Sequence, residues 1–381
     1  MRILFVTQYG RLAASSRTRV FQYLPYLASL GVETQVITVL PDRAISGSQV
    51  LVTRNPLRKI LYYTWAAWRT LSCGLAARRR ARVVDVLFVQ KVIFPAPVRW
   101  LLRHCRTPLV YDFDDAIFTT EVRRAHWLVA CKERRNARGL PAMLGLAAAA
   151  VVENEYTGSF ASRYCRVCTI TGPIDTAPFD APAAPAETHQ DGNGDPDDGN
   201  GPDDTGGGEC VLGWIGSGTT VEYLELIRPA LTALARRFPG LRLRVVGAQW
   251  SGPAELPVEC KPWRLEEEVA DLTGFDIGLM PIADDPWTRG KGGYKLLQYM
   301  AARTPVVASP VGVNAQIVAD GVTGFWARDD EAWERGLAQL IADPAQRRAM
   351  GANGRRVVDQ TYSLQAQQGR LAQLLEEVAA R

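Results

Sequence analysis

The sequence predicts an α/β protein with two domains, each built on a parallel β-sheet. In both halves, short apolar runs rich in β-branched residues alternate with helical patterns, which is typical of strand–helix–strand units. The length of 381 residues is long for one domain and comfortable for two. A segment rich in glycine and aspartate separates the two halves.

The predicted strands are bounded by turn residues and carry the apolar runs. In the first half they cover 3–7, 34–39, 84–90, 109–112, 148–152 and 167–170, and in the second 211–215, 241–246, 275–280, 305–308 and 324–326.

Composition places the domain boundary between the two sets of strands. Residues 191–208 contain seven Gly, six Asp and two Pro and no apolar residue, so we expect this stretch to be disordered. We therefore assign 1–172 to an N-terminal domain, 173–209 to a linker and 210–362 to a C-terminal domain. The apolar stripe of 363–381 predicts a final helix that packs back on the N-terminal domain.

Charge and composition narrow the classes of ligand. The formal net charge is +4 although residues 191–208 alone carry six aspartates, so the rest of the chain is distinctly cationic and suited to anionic ligands such as phosphates. No nucleic-acid motif accompanies this charge, and three histidines with one isolated Cys-x-x-Cys do not make a zinc site.

The first apolar run has only four residues, so we expect no signal peptide and a cytoplasmic protein.

The most informative segment lies directly after the predicted strand 275–280. It contains three cations, Arg289, Lys291 and Lys295, around the pair Gly292-Gly293, which permits a tight turn into a helix. Free amides at a helix start next to cationic side chains form an anion site, which fits a diphosphate. On the following helix we expect one face, with Leu296, Leu297, Met300 and Ala301, to be buried, and Lys295, Gln298 and Tyr299 to lie opposite.

This segment resembles the donor-site signature of retaining glycosyltransferase family 4, whose members have the GT-B fold. Met300-Ala301 and Pro305-Val306-Val307-Ala308 match the signature, whereas the family's two glutamates fall at Gly290 and Gln298. The resemblance implies two Rossmann-like domains that face each other across a cleft, with a nucleotide-diphosphate sugar as co-substrate and no tightly bound cofactor. It also implies a donor site that includes Tyr294, with Gln298 near the ribose.

A second match opens the predicted C-terminal domain. The strand 211–215 runs into Gly216-Ser217-Gly218, which resembles the family's first loop of that domain, and its amides would face the diphosphate. The alternative is an ordinary strand–helix turn.

Carboxylates follow the predicted strand 109–112. Family members often have a His-Asp pair there, and by the resemblance Asp114 takes the place of the histidine and Asp115 that of the aspartate. We assign both, with Lys295, to catalysis and predict no metal. Two alternatives are a metal held by Asp112 and Asp114 and a helix cap.

Two further basic stretches belong to the predicted N-terminal domain. Arg17 and Arg19 follow the first strand and are candidates for contact with phosphate or acceptor. Residues 58–82 mix aromatic side chains with cations. One interpretation is a peripheral contact with the inner face of a membrane, where a lipid-linked acceptor would be found. The alternative is a helix packed on the sheet.

The resemblance thus implies a glycosyltransferase that uses a nucleotide sugar and acts on a glycan, a lipid-linked or a small-molecule acceptor, with retention of the anomeric configuration. Two alternatives are a nucleotide-sugar epimerase of the same fold and a catalytically silent partner subunit that binds nucleotide sugar.

Overall fold

A computed structural model describes residues 1–42, 56–119, 127–180 and 209–381. The linker stretch 191–208, for which we predict disorder, lies outside the described residues.

The N-terminal half contains six strands and six α-helices among its described residues. In chain order these are β1 (Arg2–Tyr9), α1 (Ala14–Arg19), α2 (Leu24–Ser29), β2 (Glu33–Leu40), α3 (Pro56–Arg80), β3 (Val86–Gln90), α4 (Ala96–Arg103), β4 (Leu109–Phe113), α5 (Trp127–Leu144), β5 (Ala149–Val152), α6 (Glu155–Ala161) and β6 (Arg166–Thr169). Short 3-10 turns lie at Phe21–Tyr23, Ala81–Val83 and Ala177–Phe179.

The C-terminal half repeats this alternation. Its elements are β7 (Cys210–Ile215), α7 (Arg228–Arg237), β8 (Leu241–Val246), β9 (Val258–Lys261), α8 (Glu268–Thr273), β10 (Ile277–Met280), α9 (Pro286–Arg289), α10 (Tyr294–Ala301), β11 (Val306–Ala308), α11 (Asn314–Ile317), β12 (Gly324–Trp326), α12 (Asp330–Ala342), α13 (Pro344–Val357) and α14 (Leu364–Ala379). 3-10 turns at Val221–Ile227 and Leu265–Glu267 and a π-turn at Val358–Tyr362 complete it.

The strands form two parallel sheets of six strands each within the described residues, and the α/β class is confirmed. Their orders are β2-β1-β3-β4-β5-β6 and β12-β11-β10-β7-β8-β9. Every predicted strand is present, and β9 at the edge of the second sheet is an additional strand that the sequence did not predict.

Helices cover both faces of the first sheet. Along β1, Leu4 and Val6 point into one core, which α3, α4 and α5 complete, whereas Ile3 and Phe5 point into another. The second core also contains apolar residues of α14, including Leu371, Leu374, Leu375 and Val378. The last helix of the chain therefore packs on the N-terminal sheet, and its first turn is capped by the Ser363 side chain, which accepts a hydrogen bond from the Ala366 amide at 3.1 Å.

The carboxyl ends of both sets of strands lead into the loops that carry the predicted site residues. In parallel α/β sheets this edge is where ligands bind.

Among the described residues, no helix is long and apolar enough to cross a bilayer.

Candidate functional site

The chain between β10 and α10 makes a tight turn that brings its cations to one edge of the second sheet. Asp285 caps α9, because its Oδ1 accepts a hydrogen bond from the Thr288 amide at 2.8 Å. Gly293 precedes α10 with a φ of 67°, and a Cβ at this position would lie 2.6 Å from Cδ1 of Ile317. Glycine is therefore required. As at any helix start, the first amides lack helical acceptors, and those of Tyr294 and Lys295 have no acceptor among the described residues.

Lys295 is the most unusual charge of this edge. Its Nζ lies 4.0 Å from the ring centroid of Trp214, and a Cβ added to Gly216 would lie 2.6 Å from that nitrogen. No carboxylate pairs with Lys295 in the part of the chain that the structure describes. Burial, and after it the neighbouring Lys291, lower the pKa of Lys295 to about 7. An anion at this position would stabilise the charged ammonium.

The other two predicted cations differ from Lys295. Arg289 is half exposed and forms a bidentate pair with Asp284, with Nε 2.6 Å from Oδ1 and Nη2 3.2 Å from Oδ2. Its charge is thus already matched. The Lys291 ammonium lies 5.8 Å from the ring centroid of Trp287.

The glycine loop after β7 offers fewer amides than expected. The Gly216 amide donates to the Val246 carbonyl at 2.9 Å, so it is not available to a ligand. This corrects the expectation that all three amides of the loop face a diphosphate. The amides of Ser217 and Gly218 have no acceptor among the described residues, and the Ser217 hydroxyl lies 2.7 Å from that of Thr219.

Helix α10 buries more of its surface than its apolar stripe predicts. Tyr299 is fully buried; its hydroxyl accepts from the Ile215 amide at 3.2 Å and donates to the Leu279 carbonyl at 3.3 Å. Tyr299 therefore belongs to the core, and the prediction that it lies on the face opposite the core is wrong. Gln298 is only 6% exposed, and Tyr294 packs beside Gly172 of the N-terminal domain.

On the N-terminal side, a lysine that the sequence analysis missed joins the two predicted carboxylates. Lys91 follows β3 with a φ of 60°, and its Nζ contacts Asp115 and lies 2.6 Å from Oδ1 of Asp114. Burial works against ionisation of Asp115, but the charges of Lys91 and Lys291 outweigh it and lower the pKa of this carboxyl. Asp115 is therefore ionised at neutral pH.

This arrangement bears on the two alternatives for Asp114 and Asp115. An ammonium lies between the carboxylates, and the described residues contain no group of three metal-ligating side chains. Neither carboxylate caps a helix within the described residues, since a turn follows β4. The sequence feature that could have identified Lys91 as part of this group is its position directly after a buried strand.

The two arginines of the loop after β1 have different environments. Arg17 reaches the C-terminal domain, where its Nη2 lies 3.2 Å from Oε2 of Glu268 and its guanidinium lies 5.5 Å from the ring centroid of Trp263. Arg19 is 3% exposed, and its guanidinium donates to Asp112, Glu153 and the Ile170 carbonyl. These contacts commit Arg19 to the core and correct the prediction that it contacts phosphate or acceptor.

Asn154 connects the two halves of the site. Its Oδ1 accepts from the Thr157 amide at 3.0 Å and caps α6, while its Nδ2 donates to the carbonyls of Lys291 at 2.9 Å and Arg289 at 3.3 Å. The backbone of the cationic segment thus lies against the carboxyl end of β5.

Close backbone approach strengthens this connection. A Cβ on Gly290 would lie 2.4 Å from that of Ala116, and a Cβ on Gly292 would lie 2.5 Å from Oε2 of Glu153. The Glu153 carboxylate also accepts from the Gly172 amide at 2.6 Å. Burial, and then repulsion by Asp114, raise the pKa of Glu153 to about 7 against the opposing charge of Arg19.

Residues from both sheets therefore meet at one place: Lys295, Lys291 and the free amides on one side, and Lys91, Asp114 and Asp115 on the other. A divided site of this kind suits a phosphate-bearing ligand on the first side and a hydroxyl-bearing one on the second.

The cationic segment lies in a part of the chain that matches a known protein family. Residues 286–357 match the family model described as glycosyl transferases group 1. A D-inositol 3-phosphate glycosyltransferase from Corynebacterium urealyticum is 29% identical over 160 residues, which cover 37% of this chain and 37% of that protein. A GDP-mannose-dependent phosphatidylinositol monomannoside mannosyltransferase from Mycolicibacterium smegmatis is 33% identical over 170 residues, 40% of this chain and 44% of the relative. The matches thus span less than half of these curated relatives.

Solved structures match over the whole length. Sucrose-phosphate synthase from Thermosynechococcus elongatus superposes with a TM-score of 0.67 at 16% identity and covers 100% of this chain and 99% of its own. Anabaena HepE in complex with UDP-glucose gives a TM-score of 0.61 at 14% identity, covering 99% of this chain and 100% of its own.

These likenesses establish the two-domain GT-B fold, in which residues 286–357, the cationic segment and the helices after it, match the model described as glycosyl transferases group 1.

Proposed function

We propose that this protein is a glycosyltransferase that moves a sugar from a nucleotide-diphosphate sugar to a hydroxyl-bearing acceptor. The single observation that carries the proposal is Lys295, a partly buried ammonium with no carboxylate partner among the described residues and with a pKa lowered to about 7. A buried cation without a partner is unfavourable unless a ligand supplies the missing negative charge.

The surroundings of Lys295 suit a diphosphate better than a single carboxylate. The free amides of Ser217 and Gly218 and the first amides of α10 add neutral donors on two sides of the ammonium. Lys291 adds a second positive charge nearby, since it lowers the pKa of Lys295. A ligand with two linked phosphates can use all of these groups at once.

The same groups would lower the barrier of sugar transfer. When the bond between the anomeric carbon and the diphosphate breaks, negative charge grows on the departing oxygen, and donors already in place stabilise it more in the transition state than in the ground state. We propose retention of configuration: the acceptor oxygen bonds to the anomeric carbon on the face that the diphosphate leaves, and the hydroxyl proton passes to the departing phosphate oxygen.

We assign the acceptor side to the group formed by Lys91, Asp114 and Asp115. An ionised Asp115 accepts a hydrogen bond from a sugar hydroxyl, and Lys91 keeps that carboxylate charged and oriented. Asp115 is in this proposal an orienting residue for the acceptor, because a carboxyl with a lowered pKa is a weak base. Asp114, which pairs with the same ammonium, is assigned the same role.

The relatives suggest which donors to try first. HepE was solved with UDP and with UDP-glucose, and the mycobacterial relative is named for GDP-mannose. We therefore propose a UDP or GDP sugar as donor. Nothing in the comparisons favours an epimerase or a silent subunit, because the relatives are named as transferases. A cytoplasmic location and contact with a membrane stay predictions of the sequence.

The test is calorimetric titration of UDP and GDP into the protein and into Lys295→Ala. Loss of a charge-assisted contact of about 1.5–3 kcal/mol predicts roughly tenfold to a hundredfold weaker binding of the preferred nucleotide. Arg348→Ala, which removes an exposed cation from α13, is the matched control and should bind as the parent does. Equal affinity of Lys295→Ala and the parent would refute the donor site, and absence of sugar transfer across a panel of UDP and GDP sugars would refute the activity.

A further inference from the structure

The N-terminal domain contains a second concave site that the donor and acceptor groups above do not use. It is a cavity of about 610 Å³ between α3, α5 and the chain that follows β3. Ala67 and Thr70 of α3 and the backbone run 93–96 form its apolar wall. Its volume lies within the range of small-molecule sites, roughly 300–1,000 Å³.

Four arginines form the remaining wall of this arginine pocket: Arg99 of α4 and Arg134, Arg135 and Arg138 of α5. The described lining contains no acidic side chain. Arg99 is anchored by a hydrogen bond of 2.6 Å from its Nη1 to the Phe94 carbonyl.

The three arginines of α5 make no ion pair or hydrogen bond with any described residue. Arg134 and Arg138 are one helical turn apart, so their like charges repel each other on the same face. These side chains are exposed, and an anion that lies between the guanidinium groups would reduce the repulsion. The planar guanidinium favours phosphate, which it binds through two parallel hydrogen bonds.

The position of the pocket connects it with the proposed acceptor side. Ile93 lines it two residues after Lys91, whose ammonium holds Asp114 and Asp115. Gly139 lets α5 approach this segment, because a Cβ there would lie 2.4 Å from Cγ2 of Ile93. The pocket and the carboxylates thus share the carboxyl edge of β3.

We propose that the arginine pocket binds a phosphate or diphosphate group carried by the acceptor. This inference rests on the proposed transferase function, since it gives that reaction an anionic acceptor. The group belongs either to a water-soluble sugar phosphate or to a lipid headgroup. The exposed apolar side chains of α3, among them Leu61 at 70% and Trp68 at 59%, lie on the helix that lines the pocket and suit a lipid.

Inorganic pyrophosphate is the first probe, titrated by calorimetry into the full chain. We expect two sites in the parent, one at Lys295 and one in the arginine pocket. The double variant Arg134→Ala/Arg138→Ala should lose the second site, with affinity lower by roughly tenfold or more for each arginine, and keep the first. Lys295→Ala should show the converse. Arg79→Ala/Arg348→Ala removes two exposed arginines elsewhere and should retain both sites.

These variants separate the two proposals. If the double arginine variant keeps both sites, the arginine pocket is refuted while the donor site stands. If Lys295→Ala keeps both sites and the double variant loses one, the donor site is refuted while the pocket binds phosphate. Circular dichroism of each variant shows whether a loss of pyrophosphate binding reflects unfolding. If Arg134→Ala/Arg138→Ala unfolds, Arg134→Lys/Arg138→Lys, which keeps the charge, replaces it and should bind pyrophosphate with intermediate affinity.

Co-sedimentation with vesicles distinguishes the two sources of phosphate. Vesicles of phosphatidylcholine with phosphatidic acid should retain the parent but not Arg134→Ala/Arg138→Ala if the ligand is a lipid headgroup. Binding of pyrophosphate without binding to these vesicles assigns a soluble phosphate. If neither probe depends on the two arginines, the inference is wrong.

Discussion

Lys295 shows how one residue acquires a functional property from its surroundings. A lysine on an exposed helix keeps a pKa near 10.4. Here the indole of Trp214, the backbone of Gly216 and the charge of Lys291 surround the ammonium, and the pKa falls to about 7. The ligand-free site therefore disfavours the charged form of Lys295, and an anion bound beside the ammonium would raise its pKa again.

Binding of a nucleoside diphosphate should for this reason depend on pH. The ligand favours the protonated lysine, whereas above about pH 7 the free protein holds it neutral, so binding must take up a proton and affinity should fall by up to about tenfold per pH unit. Calorimetry in buffers of different ionisation enthalpy measures this uptake between pH 7 and 9.

The charge-retaining variant Lys295→Arg is the control for this dependence. Since a guanidinium stays protonated throughout the range, the variant should bind the ligand without proton uptake. A parent affinity that stays constant from pH 6.5 to 9 would contradict the prediction.

Asp114 and Asp115 illustrate a second effect at this scale. Two adjacent carboxylates would repel each other, but Lys91 pairs with both and keeps Asp115 ionised. Replacement of Lys91 by methionine should raise the pKa of Asp115, because burial would then act with less opposition. Acceptor KM should rise with little change in nucleotide affinity, measured by initial rates and calorimetry; an unchanged KM would remove the acceptor role.

At the scale of the elements, the residue that caps α6 also connects the two domains. Asn154 follows the end of β5 by two residues, caps α6 and donates hydrogen bonds to the backbone of the cationic segment. An asparagine cap is common, but its amide nitrogen is seldom needed for the cap itself. The second set of bonds therefore joins the helix start of one domain to the cationic turn of the other.

Two substitutions at this position separate the two tasks. Asn154→Ser keeps a capping oxygen but is too short to reach the carbonyls of Arg289 and Lys291, so turnover should fall while the free energy of unfolding changes little. Asn154→Ala loses both, and we expect it to be less stable than the serine variant by about 1 kcal/mol. Chemical denaturation and initial rates measure the two effects, and equal rates for Asn154→Ser and the parent would contradict the coupling.

At the scale of the whole molecule, several contacts join the two domains. The Arg17–Glu268 pair, the Asn154 bonds and the backbone contact of Gly290 with Ala116 bring the two sheets together at their carboxyl edges. A site between two domains can exclude water when they close, which limits hydrolysis of an activated sugar.

Helix α14 also connects the two domains, because it follows the C-terminal domain in the chain and packs on the N-terminal core. Leu375 is fully buried there, so Leu375→Ala should reduce the free energy of unfolding by about 2–5 kcal/mol. Leu226→Ala, at a site 47% exposed, is the control and should change it by less than about 0.5 kcal/mol. Equal denaturation curves for the two variants would show that α14 does not stabilise the N-terminal sheet.

The sequence by itself determined the repeating architecture and the place of the cationic segment in it. Strands buried on both faces leave largely apolar runs, which is why strands such as Leu109–Phe113 and Val306–Ala308 were predicted to within one residue of the bounds that the structure gives. The edge strand β9 was not predicted, because Val258-Glu259-Cys260-Lys261 is short and mixes polar with apolar residues. The cluster of cations between β10 and α10 is local in the sequence and could be predicted from it.

Only the tertiary structure decided which of these groups is available to a ligand. Arg19 and Arg289 are paired with carboxylates and the Gly216 amide with a carbonyl, whereas Lys295 is unpaired among the described residues. Lys91 meets Asp114 and Asp115 from another strand, and Asn154 meets Lys291 from another domain. The physical reason is that burial and partners depend on contacts between residues far apart in the chain, and these contacts set the charge and the free hydrogen-bonding capacity of each group.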